Sequence, residues 1–288
     1  MAGQATVLKK FRYTLELVKF SHSLFALPFA LSAFLVAGRG HFSTATLLWV
    51  IACVVLARTA AMAFNRLADA GFDAENPRTQ NRHLPAGLLS RTYVIALTLV
   101  AGLGFIAAAA QINRLSLWLS PLCLGVLFLY SLAKRFTDYT QLILGFCLGM
   151  APIGAAIAAT GRITLGSMVL GGAVQFWVAG FDLLYALQDL DFDRAKGLRS
   201  LPVKLGIMNT FKAAACFHLV FLALLAGYGW MEGLGKFYWI GLALSGAFLL
   251  WEHATIREDL RKVNAAFFIA NGLLSVFFLV FTVADLYL

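Results

Sequence analysis

Nine apolar runs divide the chain, at about 17–38, 44–66, 92–111, 116–133, 140–160, 164–187, 209–230, 236–254 and 264–286. Each is about 18–25 residues long, the length of a helix that crosses the hydrocarbon of a bilayer. A barrel strand is about half that length and alternates apolar with polar residues, which these runs do not. The pattern therefore predicts an all-α polytopic membrane protein with nine transmembrane helices, because only helices or closed barrels satisfy the backbone in lipid. Polar residues gather in the gaps. Two gaps are long, 67–91 and 188–208, and both are expected on the same side of the membrane.

Composition agrees with this reading. Of 288 residues, 61% are hydrophobic and only 13% charged, so no soluble domain is expected and residues 1–288 read as one membrane domain. The first run is too long for a cleavable signal and has no small-residue cleavage site before the next helix. Eighteen Lys and Arg residues fall in one set of alternating loops and four, Arg39, Arg114, Arg162 and Lys236, in the other, with Arg58 inside a run. The positive-inside rule then places the N-terminus in the cytoplasm and the protein in the cytoplasmic (inner) membrane of a cell. That rule accounts for most of the +9 net charge. Nucleic acid is not an expected partner, since the basic residues are split among short loops rather than forming one stripe. Cys53, Cys123, Cys147 and Cys216 stand alone in apolar runs without metal-ligand spacing, and read as small lipid- or core-facing residues.

Two acidic stretches end two of the runs. The first spans Asn65–Asp73 and contains Asp69 and Asp73; the second spans Tyr185–Asp193 and contains Asp189, Asp191 and Asp193. Asp69 and Asp73, like Asp189 and Asp193, are four apart, which puts both carboxylates on one helix face. Each stretch is followed by a basic residue and Leu-Pro, in Arg82-His83-Leu84-Pro85 and Arg199-Ser200-Leu201-Pro202. This ordered echo, about 120 residues apart, suggests two four-helix units plus a ninth helix.

On a wheel of about 100° per residue, Arg58, Asn65 and Asp69 fall within roughly 40°, with Asp73 about 40° further. Treated as one helix, Gln175, Asp182, Asp189 and Asp193 share a second stripe with Tyr185 to its side. An unpaired carboxylate at the depth of Asp182 costs about 2.5–3.5 kcal/mol on insertion scales, so it needs a partner. Arg58 is the obvious one; a structural Arg58–Asp182 bridge and an arginine snorkelling to the interface are the plainer readings of Arg58. Facing carboxylates call for a divalent cation. Mg²⁺ takes oxygen ligands, and one or two carboxylates plus phosphate oxygens usually hold it. Arg78, Arg82, Lys134, Arg135 and Lys204 are candidate phosphate partners, although the positive-inside rule also explains them. Tyr130 and Lys134 are four apart at the end of the fourth helix and share a face. Lys19 and His22 share a face of the first, so His22 could sit beside an aromatic substrate or simply at the interface. Asn264 and Asn271, seven apart, read as helix-packing amides.

These residues carry a resemblance. The chain resembles the UbiA superfamily of intramembrane prenyltransferases, which has nine helices, aspartate motifs NDxxDxxxD and DxxxD, and a YxxxK motif after helix four. Here they read Asn65–Asp73, Asp189–Asp193 and Tyr130–Lys134, with Arg66 where the family often has Asp. Residues 18–29 of the first helix resemble the 4-hydroxybenzoate polyprenyltransferase branch. The resemblance implies Mg²⁺-dependent transfer of a polyprenyl group from polyprenyl diphosphate to a ring carbon of an aromatic acid in quinone biosynthesis. It implies Mg²⁺ held by Asp69, Asp73, Asp189 and Asp193, while the stripe that Arg58 shares with Asn65 and Asp69 is what places Arg58 at the chemistry. Asn65, Arg78, Arg82, Tyr130, Lys134, Asp182, Tyr185, Asp191, Lys204 and His22 would bind substrate. The leading acceptor is 4-hydroxybenzoate; a dihydroxynaphthoate-type acid of the futalosine route to menaquinone is the alternative. An ion-coupled transporter is the reading from another class, and it would place its charges at midplane rather than at one membrane face.

Overall fold

A computed structural model of the chain describes residues 7–19 and 23–288, and every regular element among them is a helix. The order is α1 Val7–Leu17, α2 Ser23–Ala37, α3 Thr44–Glu75, α4 Arg91–Ala110, α5 Arg114–Leu132, α6 Thr140–Thr160, α7 Leu165–Ala186, α8 Leu190–Ala195, α9 Leu201–Met231, α10 Lys236–Glu258 and α11 Val263–Tyr287. Eight of the elements are long and apolar enough to cross a membrane, and a shorter apolar helix, Phe25–Ala37, supplies the ninth run. That run differs from the expected 17–38. Lys19 takes a left-handed φ of 47°, which an α-helix cannot continue through. The helix before it, α1, lies apart, packing Leu17 and Val18 against Ala63, Leu89 and Val94. What remains in α2 is 15 residues, about 22 Å of helix. His22 lies outside the described residues.

The two acidic segments are built differently. α3 runs 32 residues without a break, so Asp69 and Asp73 ride on a helix that continues beyond its apolar stretch and stops at Asn76, before Pro77. Helix α7 ends at Ala186. A 3₁₀ turn over Leu187–Asp189 then leads into the six-residue α8. The continuous stripe expected from Gln175 to Asp193 is therefore interrupted, because a 3₁₀ turn rotates each residue by about 120° rather than 100°. Helix α9 carries its own break at Gly206, at φ 74° and ψ 172°, where a first turn holding Pro202 bends into the long apolar stretch.

Small residues set the tightest packing. A Cβ at Gly145 of α6 would lie 2.1 Å from the carbonyl oxygen of Gln175, and one at Gly149 2.4 Å from that of Gly171, so α6 and α7 approach backbone to backbone. Helix α7 packs equally closely on α9, as α3 does on α4. Helices α2 and α3 touch only slightly, because α2 packs on α6 and α11 instead. The space so left between α3, α5 and α6 is a cavity of about 280 Å³. The main core lies on the other side of α6 and centres on Trp177, buried among Phe25, Phe29, Phe181 and Phe221.

Candidate active site

Two cavities meet inside the bundle. The polar one, also about 280 Å³, lies where α3 and the α7–α8 turn converge with the end of α5. Seven basic side chains line it, Lys19, Arg58, Arg66, Arg78, Arg82, Lys134 and Arg199, against five acids, Asp69, Asp73, Asp182, Asp189 and Asp193. The apolar cavity continues from it toward the opposite end of the bundle, ending near Ile112, Ser116 and Ile157. Arg58, Met62, Asn65, Tyr130, Leu144 and Leu148 line both and form the neck between them.

The acids are engaged by the bases that surround them. Arg82 Nη1 donates to both oxygens of Asp73, at 2.7 and 2.8 Å. Arg78 forks onto Asp189, with Nε donating at 2.7 Å and Nη2 to the second oxygen. Asn76 Nδ2 adds a third bond to Asp189 at 3.1 Å. Lys134 Nζ lies 3.0 Å from Asp69 Oδ1, and Asn65 Nδ2 donates to Asp69 Oδ2 at 3.3 Å. Asp193 and Asp182 accept no such bond among the described residues. These pairs join the two halves: Arg78 and Asn76, just past α3, hold the turn after α7. Lys134, at the end of α5, holds α3, and Arg135 Nη2 donates to the Ala68 carbonyl at 2.6 Å.

Lys19 is different in kind. It has no acid partner among the described residues and lies over the ring of Tyr185, 5.7 Å from its centroid. Burial, and then the positive charges of Arg66, Arg82, Arg78 and Arg58, push its amine down to about 7. Arg58 is also unsatisfied: its Nε is buried without a hydrogen-bond partner among the described residues. No Arg58–Asp182 bridge forms among the described residues, although both side chains line the polar cavity.

Most of the residues expected from sequence reach this site: Arg58, Asn65, Asp69, Asp73, Arg78, Arg82, Tyr130, Lys134, Asp182, Tyr185, Asp189 and Asp193 all line it. Two do not. Asp191 is exposed on α8, turned outward by the 3₁₀ turn before it. Lys204 lies on the first turn of α9 and faces Asp138, at 3.7 Å, over the ring of Tyr139. Sequence reasoning did not assign Lys19, Arg66, Asn76 or Arg199 to the site. Asn76 had a signal, since Asn before Pro is a helix-stop and turn pair. Arg66 donates to the carbonyl of Leu17 at 3.3 Å and so ties α3 to the end of α1. Three of the four cysteines, Cys53, Cys123 and Cys147, line the apolar cavity.

The carboxylates are hard oxygen donors, which suit Mg²⁺. Among the described residues, however, no three acidic or other ligating side chains converge into a ready-made metal cage. The arrangement fits a metal that is held partly by its ligand's own oxygens.

A helical bundle with an acid–base cavity opening into an apolar one is a membrane protein built to take a molecule with a charged head and a greasy body. The chain belongs to the UbiA prenyltransferase family, which matches residues 26–281, and is a prenyltransferase enzyme. It is 31% identical over 252 residues to the 4-hydroxybenzoate octaprenyltransferase of Paraburkholderia phymatum, covering 87% of each chain. It is 34% identical over 243 residues to that of Alcanivorax borkumensis, covering 82% of this chain and 81% of the other. Among solved structures, a UbiA homolog from Aeropyrum pernix superposes with a TM-score of 0.84 at 34% identity, over 92% of this chain and 98% of the other. A UbiA homolog from Archaeoglobus fulgidus bound to GPP and Mg²⁺ shares the fold, with a TM-score of 0.73 at 19% identity over 96% of this chain and the whole of the other.

Proposed function

We propose that this chain transfers a polyprenyl group from polyprenyl diphosphate to a ring carbon of 4-hydroxybenzoate, releasing diphosphate. The observation that carries the reading is the neck. A prenyl diphosphate whose head fills the polar cavity and whose tail fills the apolar one has its reactive allylic carbon at Arg58, Asn65 and Tyr130. The two excess positive charges of the polar cavity favour an anionic head. Relatives named 4-hydroxybenzoate octaprenyltransferase support the acceptor and a long donor.

Asp69, Asp73, Asp189 and Asp193 are the residues to hold Mg²⁺, as the Mg²⁺- and GPP-bound homolog of the same fold encourages. When bound, the metal supplies Lewis-acid withdrawal of charge from the diphosphate. The chain's own residues do the rest by exchanging partners. Arg78, Arg82 and Lys134 release their carboxylates and turn to phosphate oxygens, for which a guanidinium fork is well shaped. Lys19, with no acid partner among the described residues, joins them. As the allylic C–O bond breaks, its electron pair stays with the diphosphate, and these cations stabilise the developing charge. Arg58 donates to the carboxylate of the aromatic acid and aims the ring at the allylic carbon. The ring's π electrons form the new C–C bond, and the ring proton then passes to the released diphosphate, restoring aromaticity.

The test is diphosphate release and product analysis with purified protein in lipid nanodiscs, given a polyprenyl diphosphate, Mg²⁺ and a panel of aromatic acids. Prenylated 4-hydroxybenzoate is the expected product. Turnover only with a dihydroxynaphthoate-type acid would move the acceptor, and no diphosphate release with any acid would overturn the reading.

A further inference from the structure

Behind the site lies a buried polar chain that no step above uses. Trp177 of α7 is fully buried, and its indole Nε1 donates to Asn271 Oδ1 of α11 at 2.8 Å. Asn271 Nδ2 donates to Glu252 Oε1 of α10 at 2.7 Å and to the carbonyl of Phe267 at 2.9 Å. Asn271 and Glu252 are both wholly inaccessible, and the second carboxyl oxygen of Glu252 meets no hydrogen-bond partner among the described residues. The carbonyl of Trp177 in turn lies 3.3 Å from His218 Nε2. Polar groups in a membrane interior are costly, and each one here is used to fix the next.

The chain ends on rings. Trp177 meets Phe181 edge-to-face at 5.1 Å and Phe25 at 6.5 Å. Phe267, whose carbonyl Asn271 grips, meets Phe25 at 5.2 Å, Phe181 at 5.0 Å and Tyr185 at 4.9 Å. Phe25, Phe181, Phe267 and Tyr185 all line the polar cavity. Their ring contacts make one continuous aromatic wall of that cavity. Two points of that wall, the neighbours of Trp177 and the backbone of Phe267, are held by the same amide.

We propose that Glu252 and Asn271 are positioning residues for prenyl transfer: through Trp177 and Phe267 they hold the aromatic wall against the reacting end of the substrates. The wall shares the polar cavity with Arg58 and Asn65 of the neck, so its rings border the space where positive charge develops only as the C–O bond breaks, and its contribution appears in the transition state rather than in binding. Glu252 acts by orienting Asn271, and Asn271 by fixing the indole and the Phe267 backbone, in the manner of outer-shell groups that orient inner ones. This rests on the prenyltransferase reading. An inactive wild-type protein would refute that reading, whereas active wild type with unaffected variants would refute this inference alone.

The test is steady-state kinetics in nanodiscs on Trp177→Phe, Asn271→Leu, Glu252→Leu and Glu252→Gln, with melting temperature measured alongside. Trp177→Phe keeps a ring and loses the indole N–H. It should lower kcat about tenfold, near the strength of a desolvated ring–cation contact, with the KM for polyprenyl diphosphate unchanged. Asn271→Leu and Glu252→Leu should do the same, and Trp177→Phe combined with Asn271→Leu should be no worse than either alone. Glu252→Gln still offers an oxygen to Asn271 and should keep kcat within about twofold. If the leucine variants do not fold, Trp177→Phe and Glu252→Gln decide. Normal kcat in folded Trp177→Phe, a KM rise that accounts for its whole loss, or Glu252→Gln falling tenfold would each overturn the proposal.

Discussion

At the scale of single residues, the site is defined by which charges have partners. Arg58 has a buried Nε with none among the described residues, and it sits at the neck proposed as the place where the acceptor meets the allylic carbon. Arg58→Lys keeps the charge and loses the fork, so the KM for the aromatic acid should rise about tenfold, the worth of one charge-assisted bond, while that for polyprenyl diphosphate barely moves. An equal rise in both would make Arg58 a structural residue. The acids behave in the opposite way. Asp73, Asp189 and Asp69 already have cations on them, so a metal alone must compete with Arg82, Arg78 and Lys134. Mn²⁺, followed by calorimetry or electron paramagnetic resonance, should bind weakly by itself and at least tenfold more tightly with pyrophosphate present, since each ligand frees partners for the other. Asp189→Ala should abolish that coupling and turnover without unfolding the protein. Strong Mn²⁺ binding in the absence of pyrophosphate would contradict the exchange of partners.

Lys19 makes the site pH-sensitive. Its amine titrates at about 7 when no anion is bound, and a bound anion raises that value. Below pH 7 the amine is charged in both states and contributes no pH dependence. Above it, binding takes up a proton, so affinity for pyrophosphate should fall as pH rises from 7 toward 9. In Lys19→Met the affinity should be lower and this slope absent; an undiminished slope would assign the titration elsewhere.

At the scale of elements, the apolar cavity depends on one helix face. Gly154 of α6 lines it, and a Cβ there would meet nothing within 4 Å. Gly154 is ten residues beyond Leu144 at the neck, about 15 Å along the helix. Gly154→Phe should therefore block long polyprenyl donors while leaving geranyl diphosphate turnover within a few-fold. Equal loss with both donors would show that the tail takes another route.

The elements also show what the sequence could and could not carry. Helix α3 was legible down to its motif, because wheel geometry holds along an unbroken helix, and Arg58, Asn65, Asp69 and Asp73 do face one cavity. The same geometry failed after Ala186, where a 3₁₀ turn re-aims the chain and leaves Asp191 outside. Nothing in the local pattern marks that turn; it is bound in place by Arg78 and Asn76, more than a hundred residues earlier. The break at Lys19 was equally hidden, since an apolar run does not record a left-handed backbone. Lys204 was misplaced for a related reason. The echo of Leu-Pro was real as sequence, but Gly206 bends α9 so that its first turn faces Asp138.

At the scale of the whole molecule, the bundle places every charged group of the site at one end, near the loops that carry most of the basic residues. By the positive-inside rule we propose that this end is cytoplasmic. A single cysteine at Arg39 or Lys236, in a background lacking the four natural cysteines, should react with an impermeant maleimide only from the opposite side. Labelling of either from the cytoplasm alone would reverse the orientation.

The neck between the two cavities has a further consequence for how such an enzyme is fed. Its six shared residues bring together a compartment lined by charge and one lined by hydrocarbon. In the proposed reaction one reactant dissolves in water and the other in the bilayer, so the two do not share a concentration scale. The rate should follow the molarity of the aromatic acid, but for the isoprenoid it should follow mole fraction in the membrane. Diluting the donor with inert phospholipid, at constant total donor, should slow turnover as strongly as removing donor does, and leave the apparent affinity for the acid untouched.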